Sequence, residues 1–223
     1  MKLIYHPLFL KHQVNGNCPE TPERLSAAVE EIPFLQEGLE RLSNGEPEEI
    51  VVLAENGEQY LKLFHDERYI KQIKDICHTL QNEEIASVRE TENCFSHDTY
   101  QAACYAVGAA VQAAELAKHG QKAFALVRPP GHHAHADHES GFCVFNNMAI
   151  AAEYLRQRGE RVMIVDADLH LGDGTLEYAE GREGIFFFSI NQKDIWPGIV
   201  PPPTNNTQNI FLPEGTTDDV YIK

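Results

Sequence analysis

Three apolar runs in the second half of the chain each end abruptly in polar, mostly ionisable residues, and this repeated pattern narrows the folds open to it. Ala123 to Arg128 runs into Pro129-Pro130-Gly131-His132-His133, Val162 to Asp166 into Ala167-Asp168-Leu169-His170, and Ile185 to Ile190 closes on Ser189-Ile190-Asn191. Short apolar runs bounded by turn residues read as buried strands. Open parallel sheets place their polar site outside the carboxyl ends of the strands, so the chemistry is expected where these three ends converge. Met148 to Arg158 has helical periodicity between the first two, which makes that stretch a βαβ unit.

The earlier part reads as scaffold. Leu3 to Tyr5 is an opening strand, and Thr21-Pro22-Glu23-Arg24-Leu25 starts a helix with Thr21 as cap and proline in the first turn. Glu58 to Leu80 is helical with an interruption at Asp66, and Asp98 to Lys118 is a long alanine-rich helix ending at His119-Gly120. The acidic stretch from Glu83 to Glu92 reads as a solvated face or loop, and Pro201 to Asn209 as a surface loop. With 223 residues and no internal repeat, one α/β domain over 1–223 is expected.

Hydrophobic residues make up 43% and charged residues 23%, the balance of a chain that folds around a core. The formal net charge of −16 offers no phosphate-neutralising stripe, which argues against direct nucleic-acid binding and is compatible with basic substrates. Five cysteines without close paired spacing argue against a disulfide scaffold and fit a reducing cytoplasm. No apolar run approaches the roughly 18 residues of a membrane span.

His132, His133, His135, His138 and His170 share one stretch with Asp137, Asp166, Asp168 and Asp173. Imidazole and carboxylate are good zinc ligands, and a catalytic zinc keeps three protein ligands and an open position. Asp168 and His170, two apart beyond a strand, can face one ion. Such a pair alone is weak, since isolated histidines and aspartates at strand ends are more often turn formers. His135, Asp137 and His138 read as a solvated loop at the rim, and the remaining histidines as structural or exposed.

Three blocks change the weight: Arg128-Pro-Pro-Gly-His-His-Ala134, Gly141-Phe-Cys-Val-Phe-Asn-Asn147 and Asp166-Ala-Asp168-Leu-His170-Leu-Gly172-Asp173-Gly174-Thr175. Together with Tyr5-His6-Pro7 and Pro19-Glu20-Thr21-Pro22-Glu23-Arg24-Leu25, they resemble the signature blocks of the histone deacetylase and acetoin-utilisation deacetylase family. That resemblance implies a three-layer α/β/α, arginase-like fold with a mainly parallel sheet. It implies zinc-dependent hydrolysis of an acetamide such as acetyl-lysine or an acetylpolyamine. It assigns Asp168 and His170 as zinc ligands and His132 and His133 as active-site histidines backed by Asp166 and Asp173. His133 is expected to be the base. Phe142 and Trp196 would wall the acyl tunnel, and Asp166, Asp168, His170, Ser189 and Ile190 would hold a monovalent cation, potassium.

The chain departs from the pattern at Cys18 and Leu171, where the family usually has histidine. The resemblance also implies a third zinc ligand, an aspartate, and a catalytic tyrosine on later segments. Neither is present, and Asp218, Asp219 and Tyr221 precede those positions, so the domain is expected to lack its C-terminal strands. A non-catalytic deacetylase-like fragment is therefore the alternative expectation. A dinuclear arginase-type hydrolase is disfavoured by the tandem histidines.

Overall fold

The computed structural model describes residues 1–16, 18–44, 51–81, 84–87 and 92–222. In chain order the strands are β1 (Lys2–Tyr5), β2 (Val51–Leu53), β3 (Ala86–Ser87), β4 (Cys94–Phe95), β5 (Ala123–Ala125), β6 (Val162–Asp166), β7 (Ile185–Gln192) and β8 (Thr207–Leu212). The α-helices are α1 (Glu23–Glu31), α2 (Pro33–Ser43), α3 (Glu67–Thr79), α4 (Thr99–Lys118), α5 (Asn147–Arg156), α6 (Asp173–Ala179) and α7 (Asp218–Tyr221). Short 3-10 helices cover Pro7–Lys11 and Glu58–Leu63.

Parallel strands form two three-stranded sheets, ordered β2-β1-β5 and β6-β7-β8, while β3 and β4 make a small antiparallel pair. This corrects the expected βαβ unit, because β5 spends its pairing on β1 and β6 on β7. Between the two half-sheets runs an apolar groove of about 680 Å³, bordered by β5, β6, α4 and α5. Phe124, Met163 and Val165 on its border strands are exposed at 52%, 58% and 60%.

Helix α4 joins the halves. Its small residues Ala102, Ala103, Ala106 and Ala109 are buried, which lets the backbone approach its neighbours closely. One cluster packs Ile4, Tyr5, Phe9 and Leu35 around it, and a second packs Leu61, Ile73, Tyr100 and Phe145. A third, with Ile164, Leu171, Tyr178 and Phe187, sits beneath α5 and α6. Strand β7 buries alternate residues, Ile185, Phe187, Ser189 and Asn191, as a pleated strand with one covered face does.

Several boundaries differ from expectation. Thr207 to Asn209 are not loop but the start of β8, because each aligns with a β7 residue from Phe187 to Ser189. Strand β5 stops at Ala125, and Arg128 lies outside it, turned inward to Glu20. Thr21 does not cap α1: Pro22 holds the cap position and no side chain caps it. The break expected at Asp66 is present, dividing the 3-10 turn from α3. Within the acidic stretch, Ala86 and Ser87 form β3, while Glu83 and 88–91 lie outside the described residues.

Candidate active site

The site is built around the loop that follows β6. Asp168 N–H donates to Asp166 Oδ1 (3.0 Å) and His170 N–H to Asp168 Oδ1 (2.8 Å), so each turn of the loop is closed by the carboxylate before it. Asn191, near the end of β7, clamps the loop from the side, its Nδ2 donating to the carbonyls of Asp168 (3.0 Å) and His170 (3.1 Å). Leu171, where an imidazole was expected, is 2% exposed and anchors the loop in the core. Asp173 then opens α6.

The segment after β5 brings the tandem histidines to this loop. Thr175 N–H donates to the carbonyl of His132 (2.9 Å), fixing the segment against α6. His132 Nδ1 lies 2.9 Å from Asp166 Oδ2, and His133 Nδ1 lies 2.8 Å from Asp173 Oδ1. Each Nδ1–H donates to its own carboxylate, which leaves both Nε2 atoms for chemistry. The two rings are 3.8 Å apart between centroids. Glycine at 172 leaves room for the His132–Asp166 pair, since a Cβ there would stand 2.5 Å from Asp166 Oδ2 and 2.9 Å from His132 Nδ1.

Electrostatics divide the pair. Burial pulls His132 down, but its hydrogen bond to Asp166 and the charges of Asp166, Asp168 and Asp173 outweigh burial and leave its pKa raised. His133 is lowered, because burial and the neighbouring His132 charge exceed the help from Asp173. Burial would raise both carboxyls, yet their histidine partners hold Asp166 and Asp173 below the ordinary range. Protonation therefore favours His132 and leaves His133 as the free base.

His135 is not a solvated rim residue. Its Nδ1 lies 2.5 Å from Glu177 Oε2 and its Nε2 3.3 Å from Asp173 Oδ2, and its ring stacks on His138 at 4.3 Å. Asp137 pairs with His138 at the loop surface. Trp196 lies edge-on to His133 at 4.5 Å and to His170 at 6.0 Å, forming one wall. Phe142 follows Gly141 with a left-handed φ of 65°, and its N–H donates to Asn93 Oδ1.

Asp168 and His170 sit together at the mouth, with His170 Nδ1 3.3 Å from Asp168 Oδ1 and side chains 49% and 41% exposed. Their oxygen and nitrogen donors suit zinc, but among the described residues no group of three or more His, Cys, Asp or Glu is placed to hold a metal. Ser189 is buried, with Oγ 2.7 Å from both Asn191 Oδ1 and Asn209 Oδ1, and Ile190 follows it on β7. Of the residues expected around a monovalent cation, Asp168 and His170 have their carbonyls engaged by Asn191 Nδ2. Asn191, His135 and Glu177 were missed as site residues. For Asn191 the signal was its place at the polar end of a strand.

A family model described as the histone deacetylase domain matches residues 18–223. The chain belongs to the histone deacetylase family. It is 32% identical over 233 residues to a probable deacetylase of Archaeoglobus fulgidus, covering 99% of this chain and 61% of that protein. It is 33% identical to the polyamine deacetylase HDAC10 of Rattus norvegicus, covering 98% of this chain and 36% of the relative. The chain thus spans less than two thirds of both relatives. Among solved structures, the HDA15 HD domain matches with a TM-score of 0.75 and 26% identity, over 89% of this chain and 55% of that one. An acetylpolyamine aminohydrolase from Burkholderia pseudomallei gives 0.77 at 24% identity, over 100% and 75%. The deacetylase fold is therefore shown, and no helix among the described residues is long and apolar enough to cross a membrane.

Proposed function

We propose that this domain serves hydrolysis of the acetamide of an acetylated amine, with His133 as the general base and, later, the acid that protonates the departing amine. The observation that carries the reading is the histidine pair with separate carboxylates and opposite pKa directions. A base must be unprotonated near neutral pH, and His133 is the member of the pair held that way. His132, its pKa raised by the hydrogen bond to Asp166 and the surrounding carboxylates against the pull of burial, would supply a hydrogen-bond donor beside it.

Zinc is the metal this reading calls for, and Asp168 and His170 would supply two of its positions. Bound there, it would polarise the acyl carbonyl and lower the pKa of a water. Two donors fall short of the usual three, so the steps assigned to this chain are those of its own histidines and carboxylates. Ser189, Ile190, Asp166, Asp168 and His170 remain the proposed potassium surroundings. Trp196 and Phe142 would face the acyl chain. The net charge of −16 and relatives named as polyamine deacetylases favour a basic acetylated amine, an acetylpolyamine or acetyl-lysine. The free cysteines fit a cytoplasmic setting.

The test is acetate release from an N-acetylated polyamine and an acetyl-lysine peptide by the 223-residue chain with added zinc, beside His133→Ala. Release by the parent chain and a loss of about 10²- to 10⁴-fold in the variant is expected. Equal turnover by both would overturn the reading. The two-donor cluster favours one second reading, a deacetylase-like module that does not turn over substrate alone. No release together with substoichiometric zinc would select it.

A further inference from the structure

We propose that His135 is a positioning residue of this site: clamped between Asp173 and Glu177, it fixes the carboxylate that orients His133. The inference rests on the reading of His133 as base, and the family resemblance gave His135 no role.

Asp173 has two oxygens with different duties. Oδ1 receives the Nδ1–H of His133 at 2.8 Å and the backbone N–H of Gly174 at 3.1 Å. Oδ2 has His135 Nε2, at 3.3 Å, as its hydrogen-bond partner among the described residues. The carboxyl torsion of aspartate is broad and two-fold, so a second anchor is what holds Oδ1 on the histidine. Glu177, one turn further along α6, holds the far side of His135 at 2.5 Å and takes the N–H of Ala136 on its other oxygen at 3.1 Å.

An imidazole can serve two carboxylates at once only when both nitrogens carry protons. A neutral ring would turn a lone pair toward one of them. The arrangement therefore needs the imidazolium. Consistent with this, hydrogen bonds to Asp173 and Glu177 outweigh burial and raise the pKa of His135 to about 9. The surrounding ionisable groups are Asp173 and Glu177 from α6, and the stacked His138 with Asp137 in the same loop. His65, beyond the 3-10 turn, reaches the carbonyl of His135 at 2.9 Å and is lowered by burial to about 4, so it adds no charge near neutral pH.

The decisive measurement is proton NMR of the full chain without added metal, following the imidazole protons bonded to Asp173 and Asp166. In His135→Phe the His133 Nδ1 proton should exchange several-fold faster with water while the His132 Nδ1 proton keeps its rate. Unchanged exchange at His133 overturns the proposal. Loss of both protons would mean that this variant does not fold, and Glu177→Gln, at a side chain 44% exposed, then decides by the same selective criterion. In the hydrolysis assay His135→Phe should lower kcat about 10-fold with KM unchanged. His135→Arg, which restores the cation, should recover most of it and keep activity above pH about 9, where the wild-type clamp loses its proton. A parent chain without turnover would count against the hydrolase reading and leave the exchange result standing.

Discussion

Arg128 and Glu20, 108 residues apart, meet in a two-pronged ion pair, Nε to Oε1 at 2.6 Å and Nη2 to Oε2 at 2.8 Å, with both side chains 3% exposed. The guanidinium also donates to the carbonyls of Phe9, His12 and Glu20. The pair ties the opening segment of the chain to the loop that delivers His132 and His133.

Removing one member strands the other in the core. Glu20→Ala is expected to cost about 3–5 kcal/mol of stability, and replacing both partners by apolar residues should cost less than the sum of the single changes. Chemical denaturation of the two single variants and the double variant measures this. Additive losses would show that the pair is not coupled.

Stability should fall on both sides of neutrality, for opposite reasons. His65 has its pKa lowered from 6.5 to about 4 by burial, so its contribution is lost as pH drops through that window, where the unfolded chain takes up a proton first. His135 has its pKa raised from 6.5 to about 9, so its contribution is complete below 6.5 and lost as pH rises toward 9. Melting temperatures across pH should show both limbs. His65→Gln should flatten the acid limb, and His135→Gln the alkaline one.

Helix α4 touches the turn after β2 through glycine. A Cβ on Gly108 would stand 1.7 Å from the carbonyl oxygen of Glu55. Gly108→Ala must push the helix off that turn, at a cost of about 1–3 kcal/mol or more. Urea titration with an unchanged midpoint would contradict the packing described.

At Gly172 the effect should fall on the site more than on the fold. The methyl of Gly172→Ala enters the space between Asp166 and His132, so the His132 Nδ1 proton should exchange faster and acetate release should drop. An undisturbed proton would show that the pair tolerates a wider separation.

Much of this was legible locally. Strand β6 lies where its apolar run ends in Asp166, the break at Asp66 follows a change of pattern, and α4 follows its alanine periodicity. The pairing of His132 with Asp166 and of His133 with Asp173 was carried by resemblance, and the structure places each pair within hydrogen-bond distance. The features that depend on distant partners were not legible. Strand β8 begins beyond a proline-rich stretch and exists through its alignment with β7. The bridge from His135 to Glu177 joins residues 42 apart, and nothing in the spacing of the His-rich loop pointed to α6.

The division of the sheet has a mechanical consequence. His132 is carried by the segment that leaves β5 in one half, while Asp166 closes β6 in the other, so their 2.9 Å bond straddles the break. That bond acts as a caliper across the seam. A small sliding or spreading of one half against the other would change its length directly.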